Sequence, residues 1–223
     1  MPSHQLTASV WQRLLSFLLP VSIAKGSDED GASLQVMLYR NNWQLAARTA
    51  LYSDGVQYRP FRLAFDELQR HRLQSFERCL ILGTGLGSIV QMLHHKYKAD
   101  CSYFLVEKEE QILQWSLSIL NQQGIRTITP YCGDALVYMQ KNKLQFNLLC
   151  IDIFNDREVP AVFITNGFIQ LCRQALAPGG VCIMNYIVND SEEWEVLKAN
   201  VNKAFGHFTI LENEENRVLI AEV

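Results

Sequence analysis

From Arg78 onward the chain alternates short apolar β-type runs with helix-length stretches, and few folds satisfy that alternation. The runs are 79–82, 103–106, 127–131, 146–151 and 181–186. Runs that are apolar at successive positions are buried on both faces. Between them lie helical stretches at about 86–97, 109–120, 135–140, 161–177 and 192–205. Strand, helix, strand in that order means right-handed crossovers and parallel neighbours. Two last runs, 208–211 and 218–223, flank the polar turn 212–216 and read as a closing hairpin. The expectation is an α/β fold with a doubly wound, mainly parallel seven-stranded sheet.

The first 76 residues have a different texture and are expected to form a small N-terminal element, with the main domain at 77–223. Leu6, Val10, Leu14 and Leu18 recur every four residues, so an amphipathic helix ending before Pro20 is expected, its apolar face packed on the domain or on a second subunit. The apolar stretch 14–24 holds Pro20 and is too short to cross a bilayer. Residues 32–52 alternate in hydrophobicity around Asn41 and Asn42 and read as a β-hairpin. A helix is expected over about 60–74.

Charge removes one class of partner. Twenty Lys and Arg against twenty-three Asp and Glu leave a net −3, without the cationic surplus that a phosphate backbone requires. None of the six cysteines forms a Cys-x-x-Cys pair, so neither a metal site nor a redox motif is expected. Cys79, Cys150 and Cys182 lie within apolar runs as small core residues, which suits a reducing cytoplasm.

Parallel sheets bind ligands at the carboxyl ends of their strands. After the first run comes Gly83-Thr-Gly85-Leu-Gly87-Ser88, a turn that either admits a nucleotide-type ligand or permits tight packing. Glu107 closes the second run, as an acceptor for ribose hydroxyls or as a first-turn helix acid. Asp134, followed by Ala135, closes the third, as a helix cap or a partner for a purine amine. Asp152 closes the fourth, as a proton acceptor or a turn acid, with Asn155 and Asp156 just beyond. Three acids after three successive strands, above a glycine turn, outweigh any one of them.

With those residues in place, the sequence resembles the class I S-adenosylmethionine-dependent methyltransferase fold over roughly 77–223, and more narrowly its spermidine synthase branch. The narrower resemblance adds the N-terminal hairpin, the Ile151-Asp-Ile-Phe154 segment and the run 176–185. It implies that S-adenosylmethionine or its decarboxylated form binds at Gly83, Gly85 and Gly87, with Glu107 on the ribose and Asp134 and Ala135 at the adenine. It further implies Asp152 as catalytic acid–base, Gln57 at the nucleotide-site entrance, Asn155 and Asp156 toward the substrate, and no metal.

The chain departs from that branch at three places. Leu86 stands where the branch has an aspartate for the propylammonium of the decarboxylated cofactor, and Asn155 stands where it has a second aspartate. Arg59 and Arg62 lie in the segment that holds diamine-binding acids in the branch. Methyl transfer to a small nucleophile is therefore favoured over aminopropyl transfer. A non-catalytic ligand-binding or dimeric module, and a nicotinamide-dependent oxidoreductase, are the competing readings. The expected partners are a small-molecule substrate and a second copy of the chain through the N-terminal element, with no nucleic acid and no membrane.

Overall fold

A computed structural model describes residues 6–29, 31–47 and 50–223. The larger sheet has seven strands, with β5 (Arg78–Leu82) at its centre. On one side of it lie β6 (Ser102–Glu107) and then β7 (Ile128–Cys132). On the other side follow β8 (Phe146–Ile151), β9 (Leu176–Ile187), β11 (Asn216–Glu222) and β10 (Phe208–Asn213). Strands β5 to β9 pair parallel, and the hairpin β10–β11 closes the sheet antiparallel to β9.

Alternation along each central strand feeds two cores. Cys79, Ile81, Leu148 and Cys150 face one side, packed beneath α2 (Arg59–Glu67), α3 (Arg70–Gln74) and the helical segment 88–97. Leu80, Leu82, Leu149 and Ile151 face the other, under α6 (Ala135–Lys141), α7 (Asn166–Gln174) and α8 (Ser191–Phe205). The doubly wound expectation holds. All six cysteines are free, and five of them are buried.

The N-terminal region is more than a hairpin. Four antiparallel strands run β1 (Val21–Ser27), β2 (Ser33–Tyr39), β3 (Asn42–Ala47) and β4 (Ala50–Ser53) in sequence order. Residues 48 and 49 of the expected hairpin lie outside the described residues. The β2–β3 turn is Arg40 and Asn41, one residue earlier than expected, and both have positive φ as a two-residue hairpin turn requires. Leu34, Val36, Leu38, Trp43 and Leu45 pack onto Leu86 and onto Ile112, Trp115 and Ile119 of α5 (Glu110–Gln122). The small sheet thus sits against the glycine turn.

Three boundaries moved. The N-terminal helix, α1, is only Val10–Leu15, and of the expected apolar periodicity Leu6 alone is buried, ahead of the helix. The stretch 60–74 breaks at Gln69, whose φ of +63° interrupts the helix. Strand β9 takes in Pro178, Gly179 and Gly180, because the helix before it stops at Gln174.

Candidate active site

The order of the larger sheet reverses between β5 and β8, and ligands bind outside the carboxyl ends of strands at such a switch point. The cavity there has a volume of about 730 Å³, within the range of small-molecule sites. Gly83 makes the two strand ends approach closely. Its φ is +83°, and a β-carbon there would lie 2.2 Å from the Asp152 carbonyl oxygen, so no side chain fits without moving the backbone that carries the acid.

Gly83, Gly85, Glu107, Asp134, Ala135, Gln57, Asp152, Asn155 and Asp156 all line this one cavity. Gly87 does not. Its φ is +79°, and a β-carbon there would come within 2.9 Å of the Leu120 side chain, so the residue serves close packing of α4 (Ser88–Gln91) on α5. Leu86 also lies outside the lining and is fully buried under the small sheet. The turn is tied down from that sheet: Ser53 Oγ accepts the Leu86 amide at 3.1 Å and lies 2.6 Å from Ser88 Oγ.

Glu107 is half-buried at the end of β6. Its Oε2 accepts the Thr84 amide at 3.0 Å and the Gly85 amide at 3.2 Å, while Oε1 accepts Glu109 N at 3.2 Å. Burial raises its pKa, and the backbone amides partly offset that rise by favouring the charged form. The carboxylate is locked in place with acceptor capacity left over, which suits paired hydroxyl donors.

Asp134 caps α6, its Oδ1 accepting the Val137 amide at 2.9 Å. Capping and cavity lining coexist in this residue. Gln57 is exposed and accepts from Arg62 Nη1 at 3.3 Å. Asn155 and Glu158 exchange backbone hydrogen bonds across a tight turn that holds Asp156 at φ +56°.

Asp152 stands at the end of β8 with two side-chain donors on one oxygen. Tyr58 OH and Asn185 Nδ2 both donate to its Oδ1, each at 2.9 Å. Burial pushes its pKa up to about 7 against the lowering effect of those two donors, with Glu107 raising it further. A carboxylate that titrates near neutrality at a cavity wall is matched to proton transfer.

Several lining residues were not singled out from the sequence. Tyr58 follows Gln57, and Asn185 is an amide only 1% exposed within the apolar strand β9. Such a buried amide is itself a signal worth reading. Glu214, Glu215 and Asn216, in and next to the β10–β11 turn, reach the cavity only through the tertiary fold. Glu214 pairs with Arg59 at 2.9 Å, and Glu215 pairs with Arg157. The mouth is therefore richer in carboxylates than segment 58–66 indicates. Among the described residues, no group of His, Cys, Asp and Glu is placed to hold a metal ion, and no helix is long and apolar enough to cross a membrane.

Comparison with known proteins bears on the family and the fold. The methyltransferase-domain family model matches residues 74–219. A probable polyamine aminopropyl transferase of Bifidobacterium longum (strain NCC 2705) is 25% identical over 150 residues, 64% of this chain, which spans about a third (33%) of that relative's length. Among solved structures, a probable spermidine synthase from Corynebacterium glutamicum superposes with a TM-score of 0.68 at 16% identity, covering 89% of this chain and 79% of that one. Human methyltransferase-like protein 13, solved with SAH, gives a TM-score of 0.58 at 20% identity, covering 70% and 75% respectively. These likenesses show the fold.

Proposed function

The chain belongs to the methyltransferase-domain family, and from that premise we propose that it transfers an alkyl group from an S-adenosylmethionine-type cofactor to a small-molecule nucleophile, with Asp152 taking the proton. The observation that carries this reading is Asp152 itself, on the cavity wall with Tyr58 OH and Asn185 Nδ2 donating to its Oδ1, in the same cavity as the locked carboxylate of Glu107. The residues present suit the cofactor. Glu107 would hold the ribose hydroxyls, Asp134 and Ala135 would border the adenine, and the turn at Gly83 and Gly85 would lie along the remainder. When bound, the cofactor supplies a carbon made electrophilic by a positively charged sulfur.

Within the protein the chemistry is mostly placement. Asp152 would orient the acceptor nucleophile and take its proton, leaving it free to attack the carbon that the cofactor supplies. Since the charged carboxylate is the working form, turnover is expected to rise with pH through about 7. A pH-independent kcat between 5.5 and 8.5 would remove Asp152 from proton transfer.

Methyl transfer is the favoured chemistry, because the glycine turn itself carries no carboxylate for a propylammonium: Leu86 occupies the sequence position concerned and is packed under the small sheet, outside the cavity. One observation supports aminopropyl transfer instead: Glu214 and Glu215 bring carboxylates to the mouth that segment 58–66 lacks. Isothermal titration with S-adenosylmethionine, its decarboxylated form, the thioether product and NAD separates the readings. The expected order puts intact S-adenosylmethionine ahead of the decarboxylated form, with no NAD binding. Tighter decarboxylated binding overturns the methyl assignment, and no binding of any of the four overturns the enzyme.

The N-terminal face supports a second copy as partner. Trp11, Phe17 and Leu18 are 80%, 58% and 82% exposed, with Val10, Leu14, Leu15 and Leu19 beside them. Their combined exposed area is of the order of the ~800 Å² per partner of a standard interface. Arg13, the one charge of α1, is turned to Asn41 and Trp43, so the face lacks the cationic rim of a membrane-surface helix. Light scattering is expected to give twice the 25.6 kDa chain mass, falling to one chain in Trp11→Glu/Leu18→Glu. A wild-type monomer would sink the assignment.

A further inference from the structure

Three strand ends place a row of polar side chains across the sheet. Parallel pairing sets Ile151 opposite Met184, which puts Asp152 beside Asn185. Antiparallel pairing sets Val218 opposite Asn185, and Asn216 lies two residues from Val218, on the same face. The result is a continuous chain. Asn216 Nδ2 donates to Asn185 Oδ1 at 2.8 Å, and Asn185 Nδ2 donates to Asp152 Oδ1 at 2.9 Å and to Tyr58 OH at 3.2 Å.

We propose that Asn185, held by Asn216, is a positioning residue that fixes Asp152 with Oδ2 as its proton-accepting oxygen. The amide of Asn185 is oriented by its neighbours. Asn216 offers a donor and the carboxylate demands one, so only the observed orientation satisfies both. With Tyr58 and Asn185 both donating to Oδ1, that oxygen is committed, and neither of those bonds reaches Oδ2. Without the donor from Asn185, the carboxylate loses a bond that favours its charged form. Glu107 and Tyr58 are the other titratable groups acting on Asp152, and neither replaces that donor. The C-terminal hairpin thereby acquires a part in the chemistry that its place at the sheet edge does not advertise.

This rests on the transferase reading, but its test does not depend on turnover. Carbon-13 NMR of protein labelled at the aspartate carboxyls, with Asp152→Asn identifying the resonance, reads the Asp152 midpoint directly. Asn185→Leu is expected to raise that midpoint by about half a pH unit or more, with the acid limb of kcat moving equally and the cofactor KM staying within about twofold. Asn216→Ala, at the half-buried outer end of the chain, is expected to move both in the same direction by less, and it decides the matter if Asn185→Leu fails to fold. An unmoved midpoint in the folded variants overturns the proposal, since a merely structural role would lower stability without touching the titration. Absence of turnover in wild type with every donor would overturn the transferase reading alone, leaving the midpoint to judge Asn185.

Discussion

Asp152→Asn is expected to lower kcat by about 10²- to 10⁴-fold, the usual worth of a positioned general base, while cofactor affinity stays within about tenfold. The substitution is close to isosteric. An asparagine carbonyl can still accept from Tyr58 OH and Asn185 Nδ2, so the geometry around Oδ1 survives and only the proton-accepting charge is lost. Burial holds the native pKa near 7, far above the ordinary carboxylate value of 3.8, and this has a consequence for stability. The folded protein keeps its proton to a higher pH than the unfolded chain does. The stability Asp152 contributes is therefore fully present below about pH 4 and lost as pH rises through about 7. The variant, which cannot ionise there, is expected to be more stable than wild type at pH 8 by about 1–3 kcal/mol. Thermal unfolding at pH 5 and pH 8 checks this. Turnover within threefold of wild type would exclude the catalytic role, whatever the stability shows.

Glu107→Ala is expected to weaken S-adenosylmethionine binding by about 10²-fold, roughly 2.7 kcal/mol. Two charge-assisted hydrogen bonds to ribose hydroxyls account for most of that loss. The remainder comes from the protein, because the carboxylate also orders the Thr84 and Gly85 amides. Glu107→Gln separates the two contributions. It keeps an oxygen for the amides and gives up the charge, so a loss of about tenfold is expected. Calorimetry reads both variants. Affinity unchanged in the alanine variant would mean that the cofactor does not lie over β6, and the assignment of the cavity would fall with it.

The fold and half of the site were legible because both depend on periodicities local to the chain. Apolar runs separated by helices dictate a parallel sheet, and acids that follow such runs stand at strand ends whatever the loops do. Glu107, Asp134 and Asp152 were found that way. The small sheet was under-read, since β1 carries a weak pattern with half-exposed residues in place of clean alternation. The missing helical face at 6–18 shows the converse. A four-residue periodicity promises an amphipathic surface but cannot say what covers it, and within the single chain Trp11 and Leu18 are left exposed.

What the sequence determined by itself was the parallel sheet and the acids that close three of its strands, because strand ends are consecutive with the strands that carry them. The strand order, and with it the switch point, came from the fold. Only the tertiary structure decided what those acids can do. Asp152 owes its raised pKa to burial and to the charge of Glu107, against the lowering pull of donors from Tyr58 and from Asn185, itself held by Asn216. The paired charges at the mouth, Glu214 with Arg59 and Glu215 with Arg157, join segments far apart in the chain. Gly87, expected at the cofactor, is a packing residue, as is Leu86 beside it, because the small sheet and α5 close over that side of the turn. Spacing fixes which residues are neighbours along a strand. The charge state of a carboxyl depends on the solvent it has lost and the donors it has gained, and those come from across the fold.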